Sequence, residues 1–144
     1  MNHIHYGVWL GDSHDARNPG DIRAILNCAH DLRIKYDPTI YTSFQLGLSD
    51  SGENNNIDTY VLGAKFLHLM VLECKKVLVH CHEGRQRSPA IVILWLMMMY
   101  NETFDEAVQM VRPAIMKCRG VEQPVDWKLR ECHEAAIKSL NLHQ

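Results

Sequence analysis

Residues 76–100 read KVLVHCHEGRQRSPAIVILWLMMMY, and this order of apolar and polar residues indicates the architecture of the chain. The apolar run Lys76–His80 has the length and composition of a buried strand. Cys81–Ser88 is polar and contains one glycine, and Pro89 stands where the first turn of a helix tolerates proline. The apolar residues that follow, to about Tyr100, predict a buried helix that is shorter than the ~20 residues of a membrane span.

The chain on either side of this segment supplies further strands and helices. Three apolar runs bounded by Gly, Asp, Asn or Pro predict strands at Tyr6–Leu10, Ala24–Cys28 and Ser43–Leu48. From Ile57 the apolar residues recur at helical spacing, and Asn55 or Asn56 is placed to cap that helix.

Two more helices are predicted towards the C-terminus. Thr103 and Glu106 form a capping box for one helix, and another is predicted from about Pro124 to Leu140. This order predicts a single α/β domain, with a central, mostly parallel twisted sheet flanked by helices. Ligands of such sheets bind beyond the carboxyl ends of the strands, where Cys81–Ser88 is expected.

The composition is typical of one soluble globular domain. The chain has 144 residues, of which 47% are hydrophobic and 22% charged, so we expect one domain over residues 1–144. The formal net charge of −2 argues against a nucleic-acid partner, because binding to phosphates requires a basic surface.

The cysteines indicate a reducing compartment. They are five in number and irregularly spaced, without a Cys-x-x-Cys pair, and the N-terminus does not read as a signal peptide. We therefore expect free thiols, a cytoplasmic or nuclear location and no membrane span. Apart from Cys81, they are interpreted as packing or surface thiols: Cys28, Cys74, Cys118 and Cys132.

The segment Cys81–Ser88 has the residues of an anion site. Gly84 permits a sharp turn, so that the loop N–H groups and the first turn of the next helix converge on one point. Arg87 adds a planar guanidinium that matches two oxygens of a phosphate. The same donors stabilise a thiolate, so we expect Cys81 to be ionised at neutral pH and placed to attack phosphorus.

Two other interpretations of Cys81 are weaker. A zinc site is suggested because His80, Cys81 and His82 are adjacent, but neighbouring strand residues point to opposite faces and no second ligand pair has suitable spacing. A structural core cysteine would leave the accompanying glycine, arginine and serine unexplained. We therefore expect no metal ion.

The string His80–Pro89, with the apolar helix after it, resembles the signature of the Cys-based protein tyrosine phosphatases. It is most similar to that of the small, atypical (VH1-related) dual-specificity phosphatases. Val8–Gly11 and Ala24–Asn27 resemble early strands of that family, so the similarity spans nearly all of the chain. It implies hydrolysis of phosphotyrosine, and of phosphoserine and phosphothreonine, on phosphorylated proteins. The implied enzyme is a monomer that works through a cysteinyl-phosphate without metal or cofactor.

The resemblance also assigns catalytic roles. Cys81 is the nucleophile and Arg87 holds the phosphoryl group. Asp50, 31 positions before Cys81, is the general acid and then the general base, with Asp58 and Glu53 as its rivals.

The resemblance gives the remaining residues of the loop supporting roles. Ser88 donates to the sulfur in the second step, or caps the following helix, and both roles are compatible. His80 orients the loop, and Glu83 either pairs with Arg87 or is solvated. The substrate-binding positions are expected to be His82, Glu83, Gly84, Arg85 and Gln86.

Two departures from the family pattern affect the expected function. His82, Arg85 and Gln86 make the loop more basic than usual, which leaves a phosphoinositide or another polyanionic phosphate ester as an alternative substrate, unless Arg85 is only a solvated charge. Val125 stands where the family commonly has asparagine, which removes a structural hydrogen bond. A catalytically weak phosphoprotein-binding member is a further alternative, although the cysteine, the arginine and a candidate acid are all present.

Overall fold

A computed structural model describes residues 1–53, 55–73, 75–117 and 127–142. Five strands and five helices occur in these residues. The strands are β1 (Asn2–His5), β2 (Val8–Gly11), β3 (Ala24–Ala29), β4 (Thr42–Leu48) and β5 (Val77–His80). The helices are α1 (Ser13–Arg17), α2 (Ile57–Leu72), α3 (Arg87–Tyr100), α4 (Phe104–Lys117) and α5 (Glu131–Lys138).

The strands form one sheet in the order β1-β2-β5-β3-β4. Only the β1–β2 hairpin is antiparallel, and β2, β5, β3 and β4 pair in parallel. In register, Gly11 and Asn27 flank His80, so the carboxyl ends of β2, β3 and β5 meet at one edge of the sheet. The predicted α/β architecture, a mostly parallel sheet flanked by helices, is confirmed.

The two faces of the sheet support two apolar clusters of unequal size. Val77 and Val79 on β5 belong to the large core, which also contains residues of α2, α3, α4 and α5. Leu78, between them, belongs to a small cluster with Ala16 of α1 and Ile22. This alternation follows from the two-residue period of a strand.

The starts of α2 and α4 follow their capping residues. Asn56 caps α2, since its side chain accepts from the backbone N–H of Asp58 in the first turn. Thr103 and Glu106 make both hydrogen bonds of the predicted capping box before α4. Within the described residues, none of the helices is long and apolar enough to cross a membrane.

Some expected boundaries are wrong. Tyr6 has a positive φ of 48° and lies in the turn between β1 and β2, not in a strand. The strand β1 and the five-residue helix α1 were not predicted. Residues 127–130 are not helical, so the last helix begins at Glu131 rather than near Pro124, and residues 123–126 lie outside the described chain.

Candidate active site

The loop after β5 is pressed against the end of β2. Cys81 follows the strand directly and is 3% exposed. Gly84 has a φ of +71°, and a Cβ atom at this position would lie 2.6 Å from the carbonyl oxygen of Gly11. The N–H of Ser13 donates to the carbonyl of His82 at 2.9 Å. A glycine is therefore needed at position 84 for both its conformation and its close approach.

Ser88 lies beside the sulfur of Cys81. Its Oγ is 3.2 Å from Cys81 Sγ, and both side chains are buried. Ser88 is the second residue of α3, and Gln86 occupies the N-cap position without a side-chain capping bond. The expectation that Ser88 caps this helix is therefore wrong, because the helix begins one residue before it.

Arg87 is almost fully buried, and its Nη1 is hydrogen-bonded within the protein. Nη1 donates to Asp31 Oδ1 at 2.8 Å and to the carbonyl of Leu48 at 3.1 Å. Nε is buried and has no hydrogen-bond partner among the described residues. The guanidinium is thus fixed through Nη1, which leaves its Nε edge to bind an anion.

Asp31 is a site residue that sequence reasoning missed. Its carboxylate accepts from Arg87 and lies 3.3 Å from His82 Nε2. The hydrogen bond from Arg87 lowers the pKa of Asp31, so this carboxylate is ionised at neutral pH. Its position two residues after β3, at the edge where β5 ends, was the signal that could have identified it.

Asp50 lies two residues beyond β4 and contacts the C-terminal part of the chain. Its Oδ2 accepts from Arg130 Nη1 at 2.9 Å, and the same nitrogen donates to its backbone carbonyl at 3.1 Å. Oδ1 is 3.9 Å from His133 Nε2. Of its rivals, Asp58 lies in the first turn of α2, and Glu53 belongs to the same loop as Asp50.

Residues 127–130 are bonded to the loop that follows β5. Trp127 Nε1 donates to the carbonyl of Arg85 at 2.8 Å. The amide of Gln86 donates to the carbonyl of Lys128 at 3.0 Å and accepts from the N–H of Arg130 at 2.6 Å. Both ends of the Gln86 side-chain amide are therefore engaged within the protein, and the place of Gln86 among the substrate-binding residues stays a prediction.

The comparison with known families agrees with this geometry. The model of the family "Dual specificity phosphatase, catalytic domain" matches residues 8–122. The chain belongs to this family. We call Cys81–Arg87 the nucleophile loop, after the role that Cys81 is expected to have.

Individual relatives cover different shares of this phosphatase domain. Dual specificity protein phosphatase 26 of Homo sapiens is 30% identical over 145 residues, covering 90% of this chain and 68% of the human protein. A putative tyrosine-protein phosphatase, AMV078 of Amsacta moorei entomopoxvirus, is 44% identical over 72 residues, or 50% of this chain and 41% of its own. The match to protein phosphatase Slingshot of Drosophila melanogaster, at 25% identity, covers 78% of this chain but 11% of that protein.

Solved structures share the fold of the phosphatase domain. The crystal structure of DUSP15 superposes with a TM-score of 0.79 at 18% identity, covering 99% of this chain and 88% of that one. Human DUSP28 gives a TM-score of 0.76 at 15% identity, with 95% and 89% covered. At these identities the likeness establishes the fold.

His80 is hydrogen-bonded to the first residue of the nucleophile loop of the phosphatase domain. It is fully buried, and its Nδ1 lies 3.1 Å from the carbonyl oxygen of Cys81. Because a carbonyl only accepts, Nδ1 must carry the hydrogen. Burial lowers the pKa of His80 to about 4, so the ring is neutral at neutral pH.

A second cysteine lies beside the nucleophile loop. Cys28 on β3 is fully buried next to Cys81, because Asn27 pairs with His80 in the preceding register position. Burial raises the pKa of the Cys28 thiol, and Cys81 raises it further, so Cys28 stays protonated. Over the described parts of the chain, no three His, Cys, Asp or Glu side chains are grouped to hold a metal ion.

Proposed function

We propose that this chain is a protein phosphatase that hydrolyses phosphotyrosine, and also phosphoserine and phosphothreonine, through a cysteinyl-phosphate. One observation carries the proposal: Cys81 Sγ lies beside Ser88 Oγ at the end of a buried strand, next to Arg87, whose buried Nε has no hydrogen-bond partner among the described residues. A phosphate monoester offers the negative charge and the acceptor oxygens that this nitrogen and the N–H groups of the loop would bind.

In the first step, the Cys81 thiolate attacks phosphorus. The S–P bond forms as the P–O bond to the leaving alcohol breaks, and the electron pair of that bond passes to the leaving oxygen. Asp50 gives its proton to this oxygen. Arg87 and the loop N–H groups stabilise the oxygens of the transferring phosphoryl group.

In the second step, water hydrolyses the cysteinyl-phosphate. Asp50, now a carboxylate, removes a proton from the attacking water, and inorganic phosphate is released. The electron pair of the S–P bond returns to Cys81. The hydroxyl of Ser88, 3.2 Å away, donates to this sulfur and makes it a better leaving group.

A phosphate on a protein fits this site better than a polyanionic lipid headgroup does. The exposed carboxylate of Asp31 lies 3.3 Å from His82 and would repel the further negative charges of a polyanionic ligand there. Polyanion binding would rely on Arg85, which is exposed. The proposed substrate is therefore a phosphorylated side chain, and the chain acts as a monomer in the cytoplasm or nucleus, where Cys81 stays reduced.

The experiment that tests this function compares the wild type with Cys81→Ser on 4-nitrophenyl phosphate, a phosphotyrosine peptide and a phosphoinositide. We expect the wild type to hydrolyse the first two, the phosphoinositide to be poor, and Cys81→Ser to be silent. A silent wild type that still binds phosphopeptide would instead identify a binding protein, a role that the shared fold allows. One solved structure with this fold is a human "tyrosine phosphatase-like serine/threonine/tyrosine-interacting protein", with a TM-score of 0.75.

A further inference from the structure

We propose that Arg130 is the positioning residue of the general acid, holding Asp50 in place relative to the nucleophile loop; this inference rests on the proposed function. A single nitrogen of Arg130 contacts Asp50 twice. Arg130 Nη1 donates both to the carboxylate of Asp50, at 2.9 Å, and to the backbone carbonyl of Asp50, at 3.1 Å. These two bonds restrain the side chain and the backbone of the same residue.

The sheet explains why such a restraint is needed. Asp50 follows β4 and Cys81 follows β5, and β3 lies between these strands. Since neighbouring strands are about 4.8 Å apart, the two loops leave the sheet about 10 Å from each other. Arg87 bonds the nucleophile loop to Leu48 at the end of β4, and a further contact is needed to hold Asp50, two residues beyond, at a fixed distance from Cys81.

Residues 127–130 are hydrogen-bonded to the nucleophile loop and so connect it to the side chain of Arg130. The backbone N–H of Arg130 donates to Gln86, whose amide also donates to the carbonyl of Lys128. Trp127 donates to the carbonyl of Arg85, the residue before Gln86. The backbone of Arg130 is thus fixed to the nucleophile loop, and its side chain reaches the acid loop.

A buried network lies on the other side of the Asp50 carboxylate. Asn55 Nδ2 donates to Tyr60 Oη, which lies 2.8 Å from Nδ1 of His133. Burial lowers the pKa of His133, so the ring is neutral at neutral pH, and its Nε2 lies 3.9 Å from Asp50 Oδ1. Because Oδ2 accepts from Arg130, Oδ1 carries the proton when Asp50 acts as an acid.

The ion pair between Arg130 and Asp50 is suited to positioning the acid rather than to stabilising the folded state. The side chains of Arg130 and Asp50 are 52% and 44% exposed. Ion pairs with this exposure contribute little to the free energy of unfolding. Arg130 variants are therefore expected to fold, and their kinetics report on the acid.

The test uses leaving groups of different acidity. Phenyl phosphate has a poor leaving group that needs a proton from the acid, whereas 4-nitrophenyl phosphate has a good one that needs it little. We expect Arg130→Gln to lower kcat on phenyl phosphate about 10-fold or more, with less than about a 2-fold change on 4-nitrophenyl phosphate. Arg130→Lys should restore part of the loss. The matched control is Lys138→Gln, which removes an equally exposed, ion-paired cation and should change neither rate.

A double variant separates this inference from the proposed function. In the Asp50→Asn background, Arg130→Gln should cause no further loss on phenyl phosphate, because no acid remains to be positioned. An additional loss there, or an equal loss on both substrates in the single variant, would overturn the role of Arg130. If Asp50→Asn alone lost no more activity on phenyl phosphate than on 4-nitrophenyl phosphate, Asp50 would not be the acid, and both proposals would fail.

Discussion

Arg87 donates to Asp31 at 2.8 Å, across 56 positions of sequence, and this ion pair joins the loop after β3 to the nucleophile loop. Arg87 is buried, whereas the carboxylate of Asp31 is about half exposed. Nη1 is thereby anchored, whereas the buried Nε has no hydrogen-bond partner among the described residues. In the proposed phosphate site, Asp31 therefore orients Arg87 but supplies no group that would bind the phosphate.

Replacing Asp31 tests this anchoring. Asp31→Ala removes a charge-assisted hydrogen bond of roughly 1.5–3 kcal/mol, so kcat/KM should fall about 10-fold or more. Asp31→Asn keeps an acceptor and should lose less. The measurement is steady-state kinetics together with inhibition by vanadate. Tighter vanadate binding in Asp31→Ala would contradict the account, since it would mean that Asp31 competes with the anion.

We expect the role of Ser88 to be specific to the second step of the proposed reaction. Ser88→Ala should leave formation of the cysteinyl-phosphate nearly unchanged but slow its hydrolysis about 10-fold or more, because the sulfur loses a hydrogen-bond donor. Stopped-flow kinetics with 4-nitrophenyl phosphate should then show a burst of one equivalent of nitrophenol. A slow first turnover without a burst would place Ser88 in the first step instead.

Gly84 and Gly20 form a matched pair of positive-φ glycines. Both have φ in the left-handed region, at +71° and +63°, but a Cβ atom would clash with Gly11 only at position 84. Gly20→Ala should cost the backbone strain alone, about 1–2 kcal/mol, with normal kcat. Gly84→Ala should also displace the nucleophile loop and lower kcat at least about 10-fold. Equal activity of the two variants would show that the close approach is unimportant.

His80 makes the folded state sensitive to acid. Its pKa is lowered from 6.5 to about 4 by burial, so the unfolded chain binds a proton before the folded chain does as the pH falls. This depressed pKa costs the folded state stability between pH 6.5 and about 4, by about 2 kcal/mol on going from pH 7 to 5.

Urea unfolding at pH 7 and pH 5 measures this cost. His80→Asn, which keeps a donor towards the carbonyl of Cys81, should lose less stability between the two pH values than the wild type loses. A variant with the same pH dependence as the wild type would show that other groups cause it.

The features predicted most accurately from the sequence are those whose residues lie close together in the chain. Cys81, Arg87 and Ser88 lie within eight residues, and the strand and helix around them determine how the loop turns. The parallel core strands were likewise visible as apolar runs bounded by turn residues. By contrast, β1 was missed because Asn2, His3 and His5 mask its alternation, and α1 because five residues give no helical period.

The contacts that complete the site could not be predicted in this way. Arg130 meets Asp50 across 80 positions, and Asp31 meets Arg87 across 56. Nothing local to Arg130 distinguishes it from a solvated surface charge, and the position of Asp31 after β3 becomes a signal only once β3 is known to lie beside β5. Their pairing depends on the strand order, which places β3 between β5 and β4.

The most direct test of the central claim is to trap the intermediate on Cys81. The Asp50→Asn variant, which lacks the base for the second step, is mixed with 4-nitrophenyl phosphate, quenched in acid and digested for mass spectrometry. The account predicts one phosphoryl group, carried by the peptide that contains Cys81 and absent in Cys81→Ser. Turnover of the substrate with no phosphorylated peptide, or with the phosphoryl group on another residue, would contradict it.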